Sequence, residues 1–244
     1  VGAYPTAGDF VVIDVTEFVK GWLDGSLPNY GWLMVGSGTG QVSYPLSTAA
    51  VNTFPGHRPS LVVELKGAPV QTPTPTPTAT DTGTPGPTPT ATATPTITPT
   101  PETPPTATPT TMLPQVTLQN GLAGYSGATD TYIDAWAETT NYGPNINLAL
   151  RSTNIRSNLI RFDLATLPAS ATVSEAKLAV YVTSRTNSAS QTVSAFQVLR
   201  PWAWSQATWQ KAATSTPWQV AGCGGPADRA NTAVAQGLWS AAPS

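Results

Sequence analysis

The chain has 244 residues, a formal net charge of −2 and only 10% charged residues, far below the roughly 25% of an ordinary soluble domain. Its 11 Lys and Arg are scattered, so they form no basic stripe of the kind that displaces counterions from nucleic acid. No apolar run approaches the roughly 20 residues of a membrane helix, and a single His (His57) and a single Cys (Cys223) exclude a disulfide framework and a multi-Cys zinc site.

Val1-Gly2-Ala3-Tyr4-Pro5 carries neither a basic nor an apolar region, so no signal peptide is expected there. Phe10 to Ile13 reads as a strand. Thr16 is expected to N-cap a short helix ending near Gly25, with Val15, Phe18, Val19 and Trp22 at helical spacing. Gly31 to Val35 and Ser60 to Leu65 read as two further strands. His57, in the turn Phe54-Pro55-Gly56-His57-Arg58-Pro59, is expected to face solvent. Residues 1–67 are too few for a comfortable core of their own.

Composition changes abruptly over 68–114. Residues 69–114 hold 14 Pro and 19 Thr among 46 positions, with Asp81 and Glu102 as the charges. Such text lacks the apolar content that repays the entropy of folding, and its prolines favour a semi-rigid extended spacer. Thr/Pro-rich stretches of this kind read as O-glycosylated stalks. The candidate acceptors are Thr72, Thr74, Thr76, Thr78, Thr88, Thr90, Thr96, Thr98, Thr100, Thr108 and Thr110. A bare interdomain tether is the plainer alternative.

Residues 115–244 are strand-rich, with short alternating runs bounded by turn residues. Thr131 to Trp136, Asn158 to Asp163, Val173 to Thr183 and Gln191 to Leu199 are the clearest. The expected fold is all-β, an antiparallel jelly-roll-like sandwich with one short helix and an extended linker. From Gly222 onward the text is Gly/Ala/Ser-rich, and no closing strand is expected.

Three constellations carry possible chemistry. Trp202, Trp204, Trp209 and Trp218 crowd one stretch, with Trp136 and Trp239 nearby; exposed rings stack on sugar faces, which makes Trp202, Trp204 and Trp209 the candidate sugar contacts, whereas buried ones fill a core. Asp130, Asp134 and Asp163 are candidates for a calcium site or for ion pairs among Asp134, Arg151 and Arg161. Asp130 and Asp134 fall about 13 Å apart along one strand face, too far for a glycosidase pair, so no catalytic residue is assigned. Cys223 reads as a free thiol in a flexible loop, open to an intermolecular bridge.

Several motifs together resemble a known module. Asp130-Thr131-Tyr132-Ile133-Asp134, Asn141-Tyr142-Gly143, Leu148-Ala149-Leu150-Arg151-Ser152, Leu159-Ile160-Arg161-Phe162-Asp163-Leu164 and Leu199-Arg200-Pro201-Trp202 look like the opening half of a DNRLRE domain. Ile13-Asp14-Val15-Thr16, Val19-Lys20-Gly21-Trp22, Asn29-Tyr30-Gly31 and Arg58-Pro59-Ser60-Leu61 resemble its closing half. The hexapeptide of the family name is absent. The resemblance implies a jelly-roll-like surface module, related to carbohydrate-binding modules, in permuted register: closing half 1–67, linker 68–114, opening half 115–244.

Two functions follow as expectations. One is a structural subunit of an extracellular glycosylated filament, in which Val11, Ile13, Leu33, Leu61 and Val63 complete a neighbour's sheet against strands 173–183 and 193–199. The other is a carbohydrate-binding module of a larger secreted or surface protein. Closure within one chain is the alternative to closure between copies. Either way the partners are another copy or glycans, with no nucleic acid, no membrane span and no cofactor beyond a candidate calcium ion.

Overall fold

The computed structural model describes residues 10–45, 47, 57–66, 114–168, 171–186 and 191–239. The chain divides into one unit of Val1–Ala68 with Leu113–Ser244 and another of Pro69–Met112. The second unit, with every O-glycosylation candidate from Thr72 to Thr110, lies outside the described residues.

Before the Thr/Pro-rich segment come β1 (Phe10–Asp14), α1 (Thr16–Leu23), β2 (Trp32–Ser37), β3 (Gln41–Pro45) and β4 (Ser60–Lys66). After it come β5 (Gln115–Leu118), β6 (Ala128–Asp134), β7 (Asn147–Arg151), β8 (Arg156–Phe162) and β9 (Thr172–Tyr181). The chain continues through β10 (Ser184–Arg185), β11 (Gln191–Gln197), β12 (Lys211–Ala213), β13 (Thr216–Pro217) and β14 (Ala235–Trp239). One sheet has the order β1-β9-β4-β5, a second runs β10-β3-β7-β8-β2-β11-β14 with β6 also on β8, and β12 and β13 form a small third sheet. The strands pair antiparallel, as an all-β sandwich requires.

The strands on the two sides of the linker interleave. β9 lies between β1 and β4, with Val11 opposite Val180, Ile13 and Leu61 opposite Leu178, and Val63 opposite Ala176. β2 lies between β8 and β11, with Leu33 opposite Leu159 and Phe196. The contacts expected between neighbouring copies are thus made within one chain, because the missing strands are supplied from its own far side.

The main core lies between the sheets. Val11, Ile13, Leu61, Val63 and Leu178 face Trp32, Met34, Ile160, Phe162 and Val193 in one buried cluster. Each such side chain contributes on the order of 1.5–3 kcal/mol when fully removed from water. The helix adds Val19 and Trp22, whose ring meets Trp32 at 4.4 Å. Val15, not Thr16, occupies the cap position, and the Asp14 carboxylate accepts the Thr16 N–H at 3.0 Å. The helix ends at Leu23, ahead of Gly25, whose φ is +76°.

Two further expectations are corrected. A closing strand exists: β14 pairs with β11 from Gln191 opposite Trp239 to Ala195 opposite Ala235. His57 is not simply solvent-facing; its ring stacks on Tyr181 at 3.7 Å.

Candidate functional site

Alternate residues of β2, β6 and β8 point to opposite sides of the sheet. Trp32, Met34 and Ile160 enter the main core, while Leu33, Ile133 and Leu159 enter a second one. Residues 198–223 roof that second face with Val198, Trp202, Ala207, Ala212, Trp218 and Cys223. Trp202 is 6% exposed, and its indole N–H donates to the Tyr30 carbonyl at 2.7 Å. Trp218 is buried likewise and donates to the Thr208 carbonyl at 2.9 Å. Trp209 packs against Gly222, where a Cβ would run into its ring. Of the three tryptophans read as sugar platforms, Trp202 is a roof timber with no face to offer, Trp209 is half-buried, and Trp204 is 40% exposed.

Asp228 holds that roof together. It is fully buried, and its carboxylate accepts the N–H groups of Gln219, Val220 and Gly225 at 2.9–3.0 Å. The Arg200 guanidinium lies 3.0 Å away. Cys223 sits inside the turn so formed, fully buried, and burial pushes its thiol pKa far up. The flexible loop with an accessible thiol is therefore corrected to a packed turn with a protonated, enclosed one. Sequence spacing gave no sign of Asp228, which lies beyond the last predicted strand.

The three candidate calcium ligands do not converge. Asp130 is buried against Ser47, and Asp134 accepts Arg156 Nε at 2.7 Å and the Trp136 N–H at 2.9 Å. Asp163 is exposed and caps the Ala165 N–H. Among the described residues no group of three His, Cys, Asp or Glu side chains is placed to hold a metal ion. The ion pair expected at Asp134 is present, but its partner is Arg156 rather than Arg151 or Arg161.

Arg151 instead lies under Trp136, its guanidinium carbon 4.5 Å from the ring centre. β6 ends at Asp134, so Trp136 is in the loop that follows rather than in the strand. It is 63% exposed. Arg156 stands 5.8 Å from the same ring and 6.0 Å from that of Tyr132, which in turn stacks on Tyr142 at 4.0 Å. Burial raises the Tyr132 hydroxyl to about 12, so it acts as a neutral hydrogen-bonding group. A cleft of about 490 Å³ opens beside these residues, lined by Gln41, Ser43, Tyr132, Asn145, Asn147 and Arg156 among others.

The loop of residues 135–146 is braced from the roof. Asn141 Nδ2 donates to the carbonyls of Trp204 and Ala207 at 2.9 and 2.8 Å. Gln210 donates its N–H to the Glu138 carbonyl and its amide to the Glu138 carboxylate. A fixed, water-facing indole with its rear face on an arginine, beside a cleft of amides and hydroxyls, suits a ligand with one apolar face and a hydroxylated rim. Residues 123–220 match carbohydrate-binding module family 96. The match supports a carbohydrate-binding module-like domain, and it spans β6 to β13 with the braced loop and most of its roof. Comparison with curated proteins and with solved structures returned no match. In the sequence Trp136 stands only as the end of the strand run from Thr131 and as an outlier of the tryptophan-rich stretch, because nothing in its spacing shows that it leaves the strand.

Proposed function

We propose that the sandwich is a carbohydrate-binding module of a secreted or surface protein, with the Thr/Pro-rich segment as an O-glycosylated linker. The observation that carries the reading is Trp136: a large indole left 63% exposed on a loop anchored at Asn141 and Glu138. An exposed indole set against the Arg151 guanidinium keeps an aromatic face open for the ring of a ligand to cover. Its location inside the matched segment makes a saccharide the natural cover, and the match to a binding module argues for recognition rather than catalysis. An extracellular setting fits the linker composition, and among the described residues no helix is long and apolar enough to cross a membrane. The permuted DNRLRE register remains part of the proposal: the segment before the linker supplies the strands that complete the segment after it. The filament loses its motive, since the sheet edges that called for a neighbour are filled within the chain.

The test is native affinity electrophoresis through gels containing a panel of soluble polysaccharides, comparing the intact chain with Trp136→Ala. At least one gel is expected to retard the parent and to pass the variant. A parent that migrates freely in every gel, or a variant retarded as strongly as the parent, would overturn the reading.

A further inference from the structure

The ligand contact does not end at Trp136. From that ring the side chains run without a break through Arg156 to Tyr132 and then to Tyr142. The next residue, Gly143, is pressed against Trp204: a Cβ there would meet the indole Cε3 at 2.7 Å and collide with the Trp204 carbonyl. Asn141 ties the same turn to the backbone at Trp204 and Ala207. The loop that carries Trp136 is therefore tied to the segment that carries Trp204, and both tryptophans are partly exposed. Tyr132 and Arg156 of this run also line the cleft described above, together with Asn145 and Asn147.

We propose, on the basis of the carbohydrate-binding reading, that this band binds the interior of an extended saccharide chain, with Trp204 as a second stacking residue. Asn141 is a positioning residue that fixes the spacing of the two rings. Two stacking points on a rigid support make the second contact intramolecular once the first is made, so affinity grows with chain length until both are covered. A module that reads a single sugar or a chain end shows no such growth, because its contacts are complete with the first rings. Preorganisation by Asn141 and Gly143 lowers the entropy lost when the second ring engages.

The experiment is isothermal titration calorimetry of the full chain with cello-, xylo-, manno- and galacturono-hexasaccharides, each beside its disaccharide. The expected result is a hexasaccharide bound at least about ten-fold more tightly than its disaccharide, with Trp204→Ala reducing that ratio to near one. Asn141→Ala is expected to reduce the ratio in the same way, and Asn141→Asp, which keeps only the acceptor, to behave likewise. Trp204 is exposed, so its removal leaves the fold intact for the measurement. Equal affinity for long and short chains in the parent, or an undiminished ratio in Trp204→Ala, overturns the extended band while leaving a sugar-binding Trp136 in place. A parent that binds none of the saccharides in calorimetry or in the gels overturns both.

Discussion

Ser47 donates its backbone N–H at 2.8 Å and its hydroxyl at 2.9 Å to the two oxygens of the Asp130 carboxylate. Asp130 is 2% exposed, and burial drives its pKa from the usual 3.8 to about 7, against the lowering effect of the two Ser47 bonds. The folded chain thus holds this proton more tightly than the unfolded one. Its contribution is fully present below about pH 4 and is lost as the pH rises through about 7. Asp130→Asn removes the titration. Urea midpoints of parent and variant are expected to diverge with rising pH between 4 and 7, the parent losing ground by on the order of a few kcal/mol. A difference that stays constant across that range rules the effect out.

Trp202 and Trp136 separate structure from recognition. Trp202→Phe leaves the Tyr30 carbonyl without its donor and shrinks the roof, at a cost of about 1–3 kcal/mol. Urea unfolding is expected to show that loss while polysaccharide gels still retard the variant. Trp136→Ala is expected to do the reverse, with an unfolding midpoint close to that of the parent.

The strands were legible where burial is one-sided. β9 carries Ala176, Leu178 and Val180 on one face, as the period of two predicts. β14 escaped notice for a physical reason. Gly237 lies where a Cβ would stand 2.9 Å from Val11 and Ile13 side-chain carbons, so the strand must be small there and cannot advertise itself with apolar bulk. The roof escaped too, although Leu33, Ile133 and Leu159 made their strands apolar on both faces, the signature of a sheet covered twice. Which arginine meets Asp134 depends on register across β6 and β8, which periodicity alone does not set.

Asp228→Ala strands three donor N–H groups in a buried turn and takes the carboxylate partner from the Arg200 guanidinium, which keeps its bond to the Pro217 carbonyl. Breaking a buried pair from one side costs about 3–5 kcal/mol. The turn is expected to open around Cys223, so a disulfide reagent that leaves the native parent untouched will label the variant. A parent thiol that reacts at the rate of a free peptide thiol would contradict the enclosure.

Gly31 has φ +77°, and a Cβ there would strike the Ile160 carbonyl oxygen and the Arg161 backbone. Gly31→Ala therefore meets a conformational and a steric penalty together, in the range of about 1–3 kcal/mol for the backbone alone. A thermal melt is expected to shift clearly downward; Gly25→Ala, where φ is +76° but nothing lies within 4 Å, is expected to shift it less.

β4 and β5 are neighbours, with Glu64 opposite Gln115 and the Leu65 N–H on the Pro114 carbonyl at 3.0 Å. Lys66 and Pro114, the described residues that flank the Thr/Pro-rich text, therefore stand at the ends of neighbouring strands. The segment has no distance to span between those ends, and once a chain is long enough to turn back, each doubling of its length adds only about 0.6 kcal/mol of closure entropy. The Thr/Pro text is free to gain or lose repeats with little effect on folding, and its length can be set by other demands.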